Sequence, residues 1–384
     1  MPSYATAAKA GLAVLLLAVG PLVARAGSEF SVDDVEVCPR SAGILDLEFD
    51  PTQRRMAFVD LAQQLRVVDL GPDGRSLTRG CRGRILDTAA VSAMPGVPLR
   101  NGPEWGLSQR GVELFYTRVD ANGAPSLARA WEHGRSWRIE TLELGTQRGL
   151  ALASQDTSDP QPRLLYAGMH PAGFPLILWR ESTDPATETF FPGTGNPDTG
   201  GAPRWVPGQR ALTAVRVDAQ GNRQAVRYDI DSGGFEQLTE DPGDKDEVWM
   251  WSAPEFGGEQ VFIAVTDGCC LDVHRRIDGQ WQRIQRIDAS SFSPWPGIFS
   301  PEPFVYQGRS YVAMQLSRSK LDISDIWIAA IDPAAPMLRQ VSDPTTAKVR
   351  GEPEWLALPD GLFVYYSTFD ALRRTTIHRA ATGL

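Results

Sequence analysis

A short phrase that recurs about every 50 residues constrains the fold of this chain more than any other feature. A proline, one variable residue and an aromatic residue follow one another at 103–105, 203–205, 254–256 and 353–355. Related apolar runs begin near residues 44, 150 and 300, so that seven units can be aligned. A repeat of this length indicates an architecture in which each unit is one supersecondary element packed on the next.

Each unit repeats a succession of short apolar runs that are separated by turn sequences. The last unit contains EWLAL, LFVYYST and TIHRAA, and it places LPDG between the first two. Asx-Gly pairs, as in GPDG, DANG and LPDG, adopt positive φ and close hairpins between β-branched and aromatic runs. No long run after residue 26 has the three-and-four spacing of a helix. We therefore predict an all-β chain that forms a β-propeller of four-stranded antiparallel blades.

The last unit decides the predicted number of blades. Residues 351–384 have room for only three strands, and DDVEVC at residues 33–38 can supply the fourth. We favour seven blades, with the ring closed by this N-terminal strand, over the alternative of six. In the four units that carry the Pro-x-aromatic phrase, its aromatic residue is expected to wedge against the neighbouring blade near the axis. These residues are Trp105, Trp205, Phe256 and Trp355.

The N-terminus and the charge of the chain predict its compartment. Lys9 precedes an apolar run at residues 11–24, and Ala24-Arg25-Ala26 has the small-x-small pattern of a cleavage site. We predict a signal peptide at residues 1–26, a single propeller domain at 27–384, and a periplasmic or secreted protein. The net charge of −9 argues against binding to nucleic acid. No later segment is apolar and long enough to span a membrane.

Four cysteines remain after residue 26, and an even number in an oxidising compartment suggests disulfides. A bridge between Cys38 and Cys81 would tie the N-terminal segment to the first unit. The adjacent Cys269 and Cys270 could form a vicinal ring, remain thiols or pair elsewhere. A four-cysteine metal site would need two separated pairs with short spacing, which Cys38 and Cys81 do not provide.

Two segments carry a family resemblance. PEWLALPDGLFVYYST, at residues 353–368, is similar to the P-x-W-S-P-D-G repeat of TolB-like (PD40, WD40-like) propellers, and DIWIAAID at residues 325–332 resembles the third strand of that repeat. The resemblance implies an exported propeller of the kind that acts as a periplasmic docking protein. Related rings occur in the lid domain of prolyl oligopeptidases and in lyases that act on pectic oligosaccharides, so the fold alone does not decide the function.

Charged residues beside the repeated aromatic residues are the first candidates for a site. Glu104, Glu255 and Glu354 precede the aromatic residue of their phrase, and Arg204 has the same place in another unit. Acids that converge on the axis of a ring could bind a cation or an amine, or could act as an acid/base pair. Alternatively, each acid accepts hydrogen bonds from the adjacent blade or pairs with an arginine.

Two further groups of residues are candidates for binding. Asp241, Asp244 and Asp246 lie within one connection, where oxygen ligands at short spacing could hold Ca²⁺, the only cofactor that the sequence suggests; the alternative is a solvated acidic loop. Three tryptophans could line a rim that stacks on sugars or grips a peptide, or they could be core residues. They are Trp249, Trp251 and Trp295.

The motifs that the chain lacks narrow the choice of function. A serine hydrolase would need a G-x-S-x-G elbow on an α/β domain, and the sequence contains neither. We therefore predict a module that binds a protein, a small ligand or an oligosaccharide at one end of the ring, because loops at blade ends carry specificity on a rigid frame. The alternatives are a lyase or glycosidase that uses the axial carboxylates, and a sugar-binding lectin.

Overall fold

Seven antiparallel sheets arise from the repeated units within the residues that the structure describes. The structure is a computed structural model, and it describes residues 32–38, 43–97, 99–142, 147–170, 175–191, 202–369 and 375–384. All of these residues belong to one compact unit, Val32–Leu384. The predicted signal peptide lies outside the described residues. Among the described residues, no helix has the length and apolar character needed to cross a membrane.

The sheets are numbered here as blades in chain order, and the strands of each are given from the innermost outward. Blade 1 contains β2 (Ile44–Phe49), β3 (Arg55–Asp60), β4 (Leu65–Asp69) and β5 (Arg84–Asp87). Blade 2 contains β7 (Glu104–Ser108), β8 (Gly111–Val119), β9 (Pro125–His133) and β10 (Ser136–Thr141), with the short β6 (Ala90–Val91) also paired to β8. Blade 3 contains β11 (Arg148–Ala153), β12 (Arg163–Met169), β13 (Pro175–Glu181) and β14 (Thr189–Phe190). Blade 4 contains β15 (Arg204–Trp205), β16 (Ala211–Val217), β17 (Arg223–Asp229) and β18 (Phe235–Gln237).

The remaining blades have the same design. Blade 5 contains β19 (Lys245–Ala253), β20 (Glu259–Thr266), β21 (Cys270–Ile277) and β22 (Gln280–Asp288). Blade 6 contains β23 (Gly297–Tyr306), β24 (Arg309–Ser317), β25 (Ser324–Ala330) and β26 (Leu338–Gln340). Blade 7 contains β27 (Val349–Leu358), β28 (Gly361–Phe369), β29 (Thr375–Ala381) and, outermost, β1 (Asp34–Cys38). The helical segments of the described residues are short 3-10 turns at Thr78–Cys81, Pro185–Thr187, Pro254–Phe256 and Ala289–Ser291.

The ring closes as the sequence predicted. The N-terminal β1 pairs antiparallel with β29 and completes blade 7. A disulfide between Cys38 at the end of β1 and Cys81 in blade 1 joins the two blades at which the ring closes. Cys269 and Cys270 are free cysteines. The prediction of seven blades and of the Cys38–Cys81 bridge is confirmed.

The hydrophobic core lies between blades, because a single four-stranded sheet leaves two apolar faces to bury. Each neighbouring pair of blades shares a cluster of buried side chains. The predicted wedges explain part of this packing. The indole N–H of Trp105 donates to the carbonyl of Glu48 in the preceding blade at 3.1 Å, and that of Trp205 donates to Leu152 at 3.0 Å. Trp355 stacks on Phe304 of blade 6.

A β-bulge recurs in the innermost strands and turns side chains toward the axis of the ring. In five blades the pairing of the innermost strand shifts register, and one bulged residue has positive φ. These residues are Asp46, Leu150, Glu247, Ser300 and Glu352. We call the end of the ring at which the innermost strands begin the entry end. The antiparallel order also places there the turns between second and third strands.

Candidate functional site

One residue of each innermost strand, directly after the bulge in the blades that have one, occupies the same register position in all seven blades. At this position stand Glu48, Glu104, Leu152, Arg204, Trp249, Glu302 and Glu354. The carboxylates of blades 1, 2, 6 and 7 interact electrostatically with one another and with Arg204 of blade 4. Side chains from opposite blades therefore converge on the axis, and we call these seven residues the axial ring.

The acids of the axial ring hold their protons unusually strongly. Burial raises the pKa of Glu302 to about 8, although Arg204 acts in the opposite direction. Burial also raises the pKa of Glu104 to about 7, against a hydrogen bond of 3.0 Å that Asn101 donates to it. For Glu48 and Glu354 burial and neighbouring carboxylates both act upward, and their pKa values lie well above the usual range. Burial is the largest cause for all four acids, and neighbouring carboxylates add to it because like charges share the site.

A second layer of acids lies two residues closer to the entry end. Asp46 accepts a hydrogen bond from the backbone N–H of Gly102, and its own N–H donates to Glu352 at 3.3 Å. These contacts join blades 7, 1 and 2 around the axis. Burial and the Asp46 carboxylate raise the pKa of Glu352 to about 7, whereas the exposed Lys320 and Arg100 lower it.

The cationic part of the axial ring lies on the other side of the axis. The guanidinium of Arg204 stacks 4.6 Å from the centroid of the Trp249 ring and forms an ion pair of 3.7 Å with Glu247. Burial lowers the pKa of Arg204, but the surrounding carboxylates together raise it by a larger amount. The net pKa is above the usual value, and the guanidinium stays charged. Six carboxylates of the two layers thus interact with three neighbouring cations, Arg204, Lys320 and Arg100. These carboxylates belong to Glu48, Glu104, Glu302 and Glu354 of the axial ring and to Asp46 and Glu352 of the second layer.

The structure brings four of the predicted binding residues together and separates three from them. Glu104, Arg204, Glu354 and Trp249 belong to the axial ring, as described above. Glu255 lies instead in a 3-10 turn at the opposite end of blade 5, where its carboxylate accepts two hydrogen bonds of 3.0 Å from Ser310. Its phrase marks the end of an innermost strand rather than the middle. The adjacent Phe256 accordingly lies in that turn, beneath Arg275.

The other two tryptophans have contacts away from the axis. Trp251 is buried between blades 5 and 6, where its indole N–H donates to Ser310 at 3.0 Å. Trp295 lies in the connection between these blades, donates to Asp325 at 3.1 Å and packs beneath Arg318. Trp251 therefore belongs to the core, and Trp295 is half-buried at the entry end.

The three aspartates suggested for Ca²⁺ have cationic partners within the protein. The buried Lys245 ammonium donates to three backbone carbonyls of the same loop and pairs with Asp241 at 3.3 Å. Asp244 and Asp246 interact instead with Arg223 at 3.5 and 4.0 Å. No group of three potential metal ligands occurs among the described residues. Because an ammonium takes the oxygens that a cation would need, these contacts favour the interpretation as a structured acidic loop.

Four acids of the two layers were missed in the sequence, and two of them had a readable signal. Glu302 stands in Pro301-Glu302-Pro303, in which proline replaces the aromatic residue of the phrase. Glu48 precedes Phe49 in ILDLEF, in which leucine replaces the proline. Asp46 and Glu352 carry no comparable signal, because their position depends on the bulge.

Comparison with known proteins supports the fold and no closer relationship. No protein-family model and no curated protein matches the chain. The Cps50 (Swd1) β-propeller domain of Myceliophteria thermophila is similar in structure, with a TM-score of 0.54 and 12% identity over 90% of this chain and 98% of that domain. A prolyl endopeptidase structure has a TM-score of 0.53 and 14% identity over 88% of this chain, which spans only 48% of the endopeptidase. Membership of the TolB-like family stays a prediction.

Proposed function

We propose that this protein is an exported binding module that receives a positively charged group of a protein partner at the entry end of the ring. The observation that carries the proposal is the excess of carboxylates over cations in the two axial layers. A raised carboxylate pKa means that the charged form is unfavourable in the folded protein. A lysine or arginine of a partner would relieve the repulsion between the carboxylates, and this relief would contribute to the affinity of the partner.

The surface around the entry end supports a protein as the partner. Large apolar side chains are exposed in the turns between second and third strands, and Leu321 and Leu61 reach 78% and 60% exposure. Ile323 and Val217 are exposed at the same end. Apolar side chains around a charged centre resemble the anchors of protein interfaces more than a narrow small-molecule pocket. The Cys38–Cys81 disulfide supports an oxidising compartment, in agreement with export.

Calorimetric titration with a hexalysine peptide at pH 7 tests the proposal. Carboxylates with a pKa near 7 or 8 are partly protonated at this pH, so cation binding should release protons. Titrations in two buffers with different heats of ionisation measure that release. We expect the double variant Glu302→Gln/Glu354→Gln to bind about tenfold more weakly or worse and to release fewer protons. Added salt should weaken binding by the native protein.

The exposed Glu240 provides a matched control, because it lies at the entry end outside the axial layers. Glu240→Gln should bind hexalysine like the native protein and release as many protons. Binding without proton release would place the peptide on ordinary surface acids and would contradict the proposal. Equal affinity of the double variant and the native protein would contradict it as well.

A carbohydrate-active lyase or glycosidase is the second candidate, and one observation favours it. A pKa of about 7 would let Glu104 donate or accept a proton near neutral pH, as a general acid or base must. Incubation of the purified protein with pectic and other oligosaccharides tests this possibility. Turnover that Glu104→Gln abolishes would replace the binding proposal with an enzymatic one. Glycan binding without turnover would indicate a lectin.

A further inference from the structure

Two adjacent cysteines lie on a tight turn at the entry end of blade 5. The turn connects β20 to β21, and the sulfurs of Cys269 and Cys270 are 2.8 Å apart. Cys270 is buried, whereas Cys269 is half-buried and so has partial access to solvent. The two thiols are therefore close enough to react with each other, but they differ in their access to an external reagent.

Backbone hydrogen bonds hold this turn in place. The N–H of Cys269 donates to Thr266 at 3.2 Å, and its carbonyl accepts from Ala289 at 3.2 Å. The carbonyl of Gly268 accepts from Ile298 at 2.8 Å, at the beginning of blade 6. The juxtaposition of the sulfurs is thus part of a turn that is tied to two further segments.

We propose that Cys269 and Cys270 form a reversible vicinal disulfide by exchange with a small external disulfide, with Cys269 as the entry thiol and Cys270 as the resolving thiol. In the first step the Cys269 thiolate, after loss of its proton to solvent, attacks one sulfur of the external disulfide. The S–S bond of the reagent breaks, a mixed disulfide forms on Cys269, and one small thiolate leaves.

In the second step the proton of Cys270 passes to solvent or to the released thiolate, and the Cys270 sulfur attacks the Cys269 sulfur. The bond to the second small thiol breaks and that thiol leaves. Two protein thiols are thereby oxidised, and one external disulfide is reduced to two thiols. Burial and the contact with Cys269 raise the pKa of Cys270 to about 12, so this cysteine is a poor first nucleophile. In the second step the short distance between the Cys270 and Cys269 sulfurs compensates for this low reactivity.

The bond formed should be easily reduced again. The Cα atoms of adjacent residues lie about 3.8 Å apart across a trans peptide bond, closer than the usual separation in disulfides of roughly 4.4 to 6.8 Å. Closing the ring must therefore distort the turn, and distorted disulfides are the labile ones. The carbonyls that bind Ala289 and Ile298 would shift with it, so oxidation would alter the connection between blades 5 and 6.

Treatment of the reduced full chain with oxidised glutathione, followed by intact-mass measurement and peptide mapping, tests the proposal. The native protein should lose the mass of two hydrogen atoms in the peptide that contains both cysteines, without a lasting glutathione adduct. Cys270→Ser should accumulate one glutathionyl group on Cys269. Cys269→Ser should react about tenfold more slowly or less, because its remaining thiol is buried. Dithiothreitol should restore both thiols of the native protein.

Circular dichroism and urea unfolding of both serine variants verify that each one folds, and the peptide map separates this pair from Cys38 and Cys81. Equal rates of glutathionylation in the two variants would overturn the order of attack. A stable mixed disulfide in the native protein, or two free thiols after prolonged treatment, would overturn the vicinal bond itself.

Discussion

At the scale of the residue, the backbone conformation beside the axial ring belongs to the blade architecture, whereas the charged side chains belong to the site. A non-glycine residue with positive φ costs about 1 kcal/mol or more, and such strain often marks a functional site. Here Leu150 and Ser300 adopt the same conformation as Asp46 and Glu352, although they contribute no charge. The left-handed residue is therefore part of the blade architecture. Only the side chains near it distinguish the acidic blades.

Replacing Glu302 with glutamine should stabilise the protein at alkaline pH. The folded pKa of Glu302 is about 8, above the value of roughly 4.3 expected in the unfolded chain. The folded state therefore binds more protons between these values, and stability is lost as the pH rises through this window. Because the axial side chains retain contact with water, we expect Glu302→Gln to gain roughly 1 to 2 kcal/mol at pH 8.5 and almost nothing at pH 4.5.

Urea unfolding at both pH values measures this difference. Glu240→Gln serves as the control, since that exposed side chain lies outside the axial layers, and its stability should follow that of the native protein at both pH values. A destabilised Glu302→Gln variant at pH 8.5 would show that the ionised carboxylate has a favourable partner in the folded protein.

At the scale of the element, β1 is attached to blade 7 by side chains as well as by backbone pairing. The Asp34 carboxylate is hydrogen-bonded to His378 at 2.7 Å and to the Tyr366 hydroxyl at 2.5 Å. It also accepts the backbone N–H of Asp343 at 2.8 Å, in the connection between blades 6 and 7. One carboxylate thus links the closing strand to three other segments.

Asp34→Asn should weaken the closure of the ring. Burial raises the pKa of Asp34, but the hydrogen bonds from His378, Tyr366 and Asp343 outweigh it and lower the pKa overall. The contribution of Asp34 is therefore complete above about pH 4 and is lost as the pH falls through its lowered folded value. We expect a loss of roughly 2 kcal/mol at pH 7, measured by urea unfolding. The exposed Glu36 on the same strand is the control, and equal midpoints for Asp34→Asn and Glu36→Gln would contradict this role.

The elements also show what the sequence could and could not predict. The repeat predicted the blades and the closing strand because every blade buries the same two faces. The alignment of Glu255 with Glu104 was wrong because β19 has Trp249 at the axial position, and the Pro-x-aromatic phrase of this unit follows directly after the end of the strand. The bulge adds one residue to the innermost strand, and an alignment of the Pro-x-aromatic phrases does not reveal that extra residue. Asp46 was missed for that reason.

At the scale of the whole molecule, ring closure creates the charge distribution. The glutamates of the axial ring belong to blades 6, 7, 1 and 2, which are neighbours only because blade 7 contacts blade 1. Blades 3, 4 and 5 contribute leucine, arginine and tryptophan to the other side of the axis. The acidic arc is therefore contiguous in space but divided between the two ends of the sequence.

Removal of residues 32–38 should consequently open the ring. Loss of β1 would leave β29 as an exposed sheet edge, and such edges pair with other chains. We expect the truncated chain, with Cys81→Ser, to self-associate in size-exclusion chromatography with light scattering. A synthetic peptide of residues 32–38, with serine at position 38, should reverse that association by refilling the edge.

The full chain with Cys38→Ser/Cys81→Ser is the control that distinguishes the effect of losing β1 from the effect of losing the disulfide. The bridge closes a separation of 43 residues, and the chain-entropy model assigns such a loop about 4 kcal/mol of stabilisation. The control should therefore be less stable toward urea than the native chain, but it should keep the oligomeric state of that chain because β29 stays covered. If the truncated chain matched this control in both measurements, the disulfide rather than β1 would be what closes the ring.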